Sequence, residues 1–441
     1  MDALRALKAI IEAQRKGISQ GIVSVCSSQS AVIEAVFRKT PRAVETRTTS
    51  PMPVLIESTS NQVNQQGGYT GMKPADFAAL VFALADEGGF PRDSIILGGD
   101  HLGPHPWRQQ NADIAMLQAE ELVRQYVAAG FGKIHLDASM PLGGDRSLES
   151  VQIAQRSARL CLAAERAFRQ RQREISGCSP PVYVIGSEVP TPGGSHSESG
   201  RPTVTDVAAF RDTITASREA WEAAGLSDAW ERVVAVVVQP GIEFGDYGVH
   251  EYRRADFCEL ASVVSDYSLV YEGHSTDYQT PVALRQMVGD GIAVLKVGPA
   301  LTFAMREALF LLTHIEQECC LTSVPSGLVD VLDRAMLRDP THWQGYYSGT
   351  PAQIALARKY SLCDRVRYYW AVSEVQRSVN ALYENLRQIS IPSSLISQFF
   401  PSQHRKMRQG HLSPDPEFLV QDRIGDVLDG YFQAVSASSR D

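Results

Sequence analysis

Gly99-Asp100-His101 and Glu272-Gly273-His274 each place an imidazole where a short apolar run stops. His135-Leu136-Asp137 and Gly186-Ser187-Glu188 put carboxylates at the ends of two further runs. Two imidazoles with two or three carboxylates (Asp100, Asp137, Glu188) form a mixed nitrogen and oxygen donor set of the kind that holds Zn²⁺, Mn²⁺ or a similar divalent ion. His101, Glu188 and His274 are the candidate metal ligands. His135 lies inside its run and is read as structural, the ordinary state of a lone histidine in an apolar strand. His105, His196 and His250 fall in loops, as ligands or as solvated side chains. A second constellation, Asn61-Gln62 followed by Gly67-Gly68-Tyr69, is rich in amides and glycine. Amides hydrogen-bond sugar hydroxyls and glycines let backbone N–H groups approach a ligand, although a plain surface loop has the same composition. No G-x-S-x-G elbow occurs, and Cys26 is placed within a buried strand, so no Ser-His-Asp or Cys-His arrangement is implied.

These residues meet only if the runs that end in them are strands of one sheet. Eight such runs occur: 21–27, 54–59, 94–101, 133–139, 182–188, 233–239, 268–275 and 292–298. Stretches of helical period separate them, for example 74–87, 113–129, 150–173 and 203–224. In 113–129, Ile114, Leu117, Leu122, Val123 and Val127 mark the face expected against the sheet. Continuous apolar strands alternating with helices imply a parallel sheet buried on both sides. Eight units favour a closed (β/α)₈ TIM barrel, and neither G-x-G-x-x-G nor G-x-x-x-x-G-K-[ST] is present to mark a nucleotide fold. Catalytic groups of such barrels sit at the C-terminal ends of the strands, where the polar residues recur here. The usual phosphate site follows strands seven and eight, making Ser275, Thr276, Lys296 and Gly298 candidates; Lys296 is also a candidate Schiff-base amine. The expected division is 1–321, a barrel with an N-terminal amphipathic helix, and 322–441, a helical extension packed on it. In that extension Arg365 and Arg367 are guanidiniums able to clamp a phosphate, a surface salt bridge being the plainer alternative.

The chain has 441 residues, 44% hydrophobic and 21% charged, with a formal charge of −8. That balance lacks the basic excess of a nucleic-acid or membrane-surface binder. Seven scattered cysteines without C-x-x-C suit a reducing, cytoplasmic setting, and no signal peptide or apolar run long enough to span a bilayer is seen.

Gly98–Pro104, the 61–72 loop, His135–Ser139 and Asp364–Trp370 together resemble the tagatose-bisphosphate aldolase accessory-subunit family over nearly the whole chain. Members of it have been labelled tagatose 6-phosphate kinases, and some are tagatose 6-phosphate 4-epimerases. The family is similar to class II aldolases, where an Asp-His pair at strand three supplies an acid/base and a metal ligand. Carried over, Asp100 is the acid/base and His101 and His274 are ligands, with a divalent metal, Zn²⁺ or Mn²⁺, as cofactor. Glu188 has no counterpart there. The resemblance implies metal-dependent conversion of D-tagatose 6-phosphate to D-fructose 6-phosphate by retro-aldol chemistry, with Asp100 or Asp137 taking the 4-hydroxyl proton. Asn61, Gln62, Tyr69, Ser275, Thr276, Lys296 and Arg365 are the expected contacts to the sugar phosphate. The alternatives are a non-catalytic, chaperone-like partner of a class II aldolase catalytic subunit, and a true aldolase. A homo-oligomer is left open, and a kinase lacks its nucleotide loop.

Overall fold

A computed structural model describes residues 3–41, 52–145, 148–186, 201–319, 324–436 and 438–439. Eight parallel strands close a barrel: β1 (Ile22–Cys26), β2 (Val54–Thr59), β3 (Ile95–Leu102), β4 (Lys133–Leu136), β5 (Val182–Ile185), β6 (Val233–Val238), β7 (Val270–Gly273) and β8 (Ile292–Val297). Their spatial order is their chain order, β8 pairing with β1 to close the ring. Each lies within one of the eight apolar runs or overruns it by a single residue. The fold is a (β/α)₈ barrel.

Side chains two apart on a strand share a face, and this sorts the barrel interior into levels. At the lower level Ile22, Leu55, Ile96, Val182, Val234, Val270 and Val294 form one apolar cluster with Ala6, Leu7, Ile10 and Ile11. The Ala3–Arg15 helix therefore plugs the floor with its apolar face, leaving Arg5 and Lys8 exposed. Two residues further along, the lining turns polar: Glu57 and Glu272 meet Lys133 there, and Ser24 donates to Glu57. Gly98 makes room at this level, since a Cβ on it would lie 2.2 Å from Glu57 Oε1. Two residues further again come Cys26, Asp100, His135 and His274, at the open end, and Lys296, in register with Ser24 one level below, reaches up to Asp100.

On the outside, the Ala112–Ala128 helix buries Ala115, Met116, Ala119, Leu122, Val123, Tyr126 and Val127. Ile114 and Leu117 were expected on that face but are 52% and 60% exposed. The small Ala115 and Ala119 let the backbone approach the barrel, which rotates the stripe away from the bulkier pair. The tail is helical, with the Pro416–Val435 helix packed on the Ser30–Lys39, Pro281–Gly289 and Pro299–Cys319 helices. Tyr431 Oη reaches from it to Thr276 O, 2.7 Å away, beyond the end of β7. The tail aromatics Tyr347, Tyr369 and Trp370 are buried. Ile18–Ser19 pairs with Ser438–Ser439, and Gly21 N–H donates to Val435 O. Among the described residues no helix is long and apolar enough to cross a membrane.

Candidate active site

In a regular strand Asp100 and His101 would face opposite sides of the sheet. The β3–β4 register slips between Gly99 and Leu102, and His101 adopts φ +47°, so both side chains turn toward the barrel axis. A non-glycine residue in the left-handed region stores strain, and a bulge of this kind re-aims a side chain. Ser275 (φ +55°) does the same directly after His274. Just beyond this bulge, a Cβ on Gly103 would lie 1.6 Å from Asp137 O. Gly103→Ala is expected to push the end of β4 outward and to cost about 1–3 kcal/mol or more. Urea unfolding checks it, and a loss under about 0.5 kcal/mol would show that this approach is not a constraint.

Three imidazoles gather around Asp100, with ring centroids 4.8 Å (His101–His274), 5.1 Å (His101–His135) and 5.3 Å (His135–His274) apart. Each is held through one nitrogen by a carboxylate. His101 Nδ1 lies 3.0 Å from Asp137 Oδ2, His135 Nδ1 2.9 Å from Asp100 Oδ1, and His274 Nε2 3.0 Å from Glu272 Oε1. The His101 N–H also points at His135 Nδ1, at 3.3 Å, but one nitrogen cannot both donate and accept. The shorter, charge-assisted bond to Asp100 places the proton on Nδ1. His135 Nε2 and His274 Nδ1 are then buried without a hydrogen-bond partner among the described residues. Burial, reinforced by the Lys296 ammonium, pushes His274 down to about 3, and burial lowers His101 as well, so both rings stay neutral with a lone pair to offer. Burial pushes the Asp100 carboxyl up, but with the rings neutral the Lys296 ammonium and the hydrogen bond from His135 outweigh it and hold it below the carboxylate range. Donor atoms of Asp100, His135, Glu272 and His274 all lie within 4.8 Å of one another. Neutral imidazoles oriented by carboxylates, with orphaned nitrogens, fit a divalent metal ion.

Above this cluster opens a pocket lined by Asn61, Gln62, Tyr69, His101, His274, Ser275 and Lys296, with Ser27, Asp277, Arg367 and Tyr368. The predicted residues are thus largely brought together, with six departures. Asp100 is fully buried and does not itself line the pocket, and His101 lies outside the four-residue donor group. His135 is not a bystander but part of the cluster, because it shares its strand face with Lys133 and Asp137. Asp137 does not line the pocket; its carboxylate is engaged by His101 and Ser139. Thr276 is fully buried, its hydroxyl donating to Lys296 O and its carbonyl accepting from Tyr431. Arg365 is 2% exposed and turned away, donating to His342 O and lying against the Tyr346 ring, while Arg367 takes the place in the pocket. Glu188 lies outside the described residues. Lys296 pairs with Asp100 and so is a charged neighbour to it. Cys26 lines the pocket, but burial raises its thiol, which keeps it protonated. Reasoning from strand ends alone gave no role to Glu57, Lys133 and Glu272; the alternation of faces was the signal for them.

Asp364 (φ +44°) begins the turn that delivers Arg367, and Thr302 Oγ1 donates to its carboxylate. Burial pushes this carboxyl up from 3.8 to about 6. The folded chain therefore binds that proton more tightly than the unfolded one, and its contribution to stability is lost as pH rises through about 4 to 6. Asp364→Asn removes a cost of about 3 kcal/mol at pH 7.5 and little at pH 4. Urea midpoints of the two proteins should diverge in favour of Asn as pH rises; parallel curves would sink the assignment.

The model of the D-tagatose-1,6-bisphosphate aldolase subunit GatZ/KbaZ-like family matches residues 7–436. The chain belongs to this family. The D-tagatose-1,6-bisphosphate aldolase subunit GatZ of Escherichia coli O7:K1 is 47% identical over 426 residues, which is 96% of this chain and 99% of that one. Its counterpart from Escherichia coli O1:K1 is 46% identical over the same shares. A crystal structure titled as a probable tagatose 6 phosphate kinase from Sinorhizobium meliloti 1021 superposes with a TM-score of 0.83 at 42% identity, covering 94% of this chain and 100% of that one. The buried imidazole–carboxylate cluster is this family member's candidate active centre.

Proposed function

We propose that the chain catalyses metal-dependent C4 epimerisation of a ketohexose phosphate, D-tagatose 6-phosphate to D-fructose 6-phosphate, by a retro-aldol and aldol sequence. What carries this reading is the set of three imidazoles, each held by its own carboxylate, beneath a pocket of hydroxyl and amide side chains. The C4 hydrogen is β to the C2 ketone and not acidic, so inversion needs the C3–C4 bond to break. His101, His135 and His274 would hold the divalent metal, which when bound supplies a Lewis acid for the C2 carbonyl. Asp100, held ionised, is the acceptor for the O4 proton, and the Lys296 ammonium beside it steadies the charge that moves. The bond pair stays on the three-carbon ketone fragment while the other fragment becomes an aldehyde. Asn61, Gln62 and Tyr69 retain that aldehyde while it turns, C3 attacks its other face, and Asp100 returns the proton to O4. Asp137 acts through His101 as a positioning residue.

The test uses the purified chain with Zn²⁺ or Mn²⁺ and tagatose 6-phosphate, followed by ¹³C NMR with an EDTA-treated control. Fructose 6-phosphate formed only with metal supports the epimerase. Triose products would replace it with an aldolase. The second reading, a non-catalytic subunit of a class II D-tagatose-1,6-bisphosphate aldolase, is favoured by the names its relatives carry. It would place the catalytic partner over exposed apolar residues such as Ile114, Leu117 and Val151, in the opening turns of two adjacent helices. No turnover alone, with a catalytic aldolase subunit stabilised by mixing, would establish that reading instead.

A further inference from the structure

We infer that this pocket takes a ketose bearing a single phosphate, held by Arg367 of the tail and not by the loop after β8. The inference rests on the sugar-phosphate reading above. Barrels of this architecture commonly bind phosphate after strands seven and eight, at exposed N–H groups of a helix start. Here that place is filled from within. Asp277 Oδ1 accepts from Gly298 N–H at 3.0 Å and from Ala300 N–H at 2.8 Å, at the start of the Pro299–Cys319 helix. Asp277 is 3% exposed and lines the pocket, so a phosphate there would meet a carboxylate and find its N–H donors taken.

Two Lys or Arg side chains line the pocket among the described residues, Lys296 and Arg367. Lys296 is committed to Asp100. Arg367 has no carboxylate within ion-pair distance among the described residues, since the neighbouring Asp364 carboxylate accepts from Thr302 instead. Its Nη1 is anchored on the Cys363 and Asp364 carbonyls and its Nη2 donates to Tyr368 Oη, which fixes the fork and leaves Nε–H and one Nη2–H for a ligand. A planar, pre-oriented guanidinium is suited to a phosphate. One uncommitted cation matches one phosphate; a second would face Asp277 and Asp100.

Isothermal titration of the metal-supplied full chain with fructose 6-phosphate, fructose 1,6-bisphosphate and inorganic phosphate tests this. In Arg367→Gln, binding of the monophosphate and of inorganic phosphate should each weaken roughly tenfold or more, with Arg367→Lys recovering part of it. In the wild type the bisphosphate should bind no tighter than the monophosphate. Asp277→Asn, which keeps an acceptor for both N–H groups, should bind the bisphosphate several-fold better. Arg367→Gln binding within about twofold of wild type, or a wild-type bisphosphate preference above about tenfold, overturns the inference. If both Arg367 variants fail to fold, the wild-type comparison and Asp277→Asn decide it. Turnover with Arg367-independent phosphate binding sinks the inference and leaves the epimerase standing; Arg367-dependent phosphate binding without turnover does the reverse.

Discussion

His135→Ala should strip the protein of divalent metal as thoroughly as His274→Ala. Each substitution removes an imidazole whose second nitrogen is buried and unpartnered among the described residues. Zinc content measured by mass spectrometry after dialysis should fall in both variants, with affinity reduced by roughly 100-fold or more and epimerase turnover falling with it. His250→Ala, on a loop hairpin away from the cluster, should retain its metal and serves as the control for handling. Full zinc in His135→Ala, with loss in His101→Ala and His274→Ala, would return His135 to a purely structural role. The result discriminates because His135 also braces Asp100: a variant that keeps its metal but loses turnover would assign it to orienting the proton acceptor alone.

Lys133→Met should be among the most destabilising single changes in the molecule. Lys133 is 1% exposed, with its ammonium 2.8 Å from Glu272 and 2.9 Å from Glu57, both fully buried. Removing the shared cation leaves two carboxylates in a dry interior, a loss of about 3–5 kcal/mol. Denaturant titration should show it, or the variant should be recovered unfolded. Lys133→Met with Glu57→Gln should regain part of the loss, because one of the stranded charges is gone and the amide can still accept from Ser24. A single variant within about 1 kcal/mol of wild type would mean that water reaches this level of the barrel. The pair of variants also asks whether the floor beneath the imidazoles must be rigid: Glu272 binds both Lys133 and His274, so the ammonium positions a candidate ligand two bonds removed.

The barrel was legible because its eight apolar runs are short, β-branched and separated by helical periods, and because each buried strand needs no compensating signal from elsewhere. The polar ends of the strands pointed to the candidate site for the same reason. What escaped was finer. His135 looked structural because it precedes the end of its run, yet Lys133, His135 and Asp137 share one face, and the period of two would have promoted it. The buried face of the 112–128 helix was read correctly at Leu122, Val123 and Val127 but not in its opening turns, where hydrophobicity was weighed above size and close packing selected Ala115 and Ala119. Arg365 and Arg367 are two apart on a tight turn, so their directions depend on the φ of Asp364, which no residue type announces. The inward turn of His101 likewise depends on a bulge. Asp277 lies only three residues beyond His274, but that it would cap a helix starting at residue 299 is a tertiary fact.

The hydroxyl of Tyr431 on the carbonyl of Thr276 joins residues 155 positions apart. On a ribosome adding about 5–20 residues per second, the loop beyond β7 is made roughly 8–30 s before the side chain that secures it. Until then the polar mouth of the barrel is open to solvent and to other nascent chains, with the face that the Pro416–Val435 helix will cover still bare. The end of the barrel that carries the candidate site is thus closed over only after the Pro416–Val435 helix has been made.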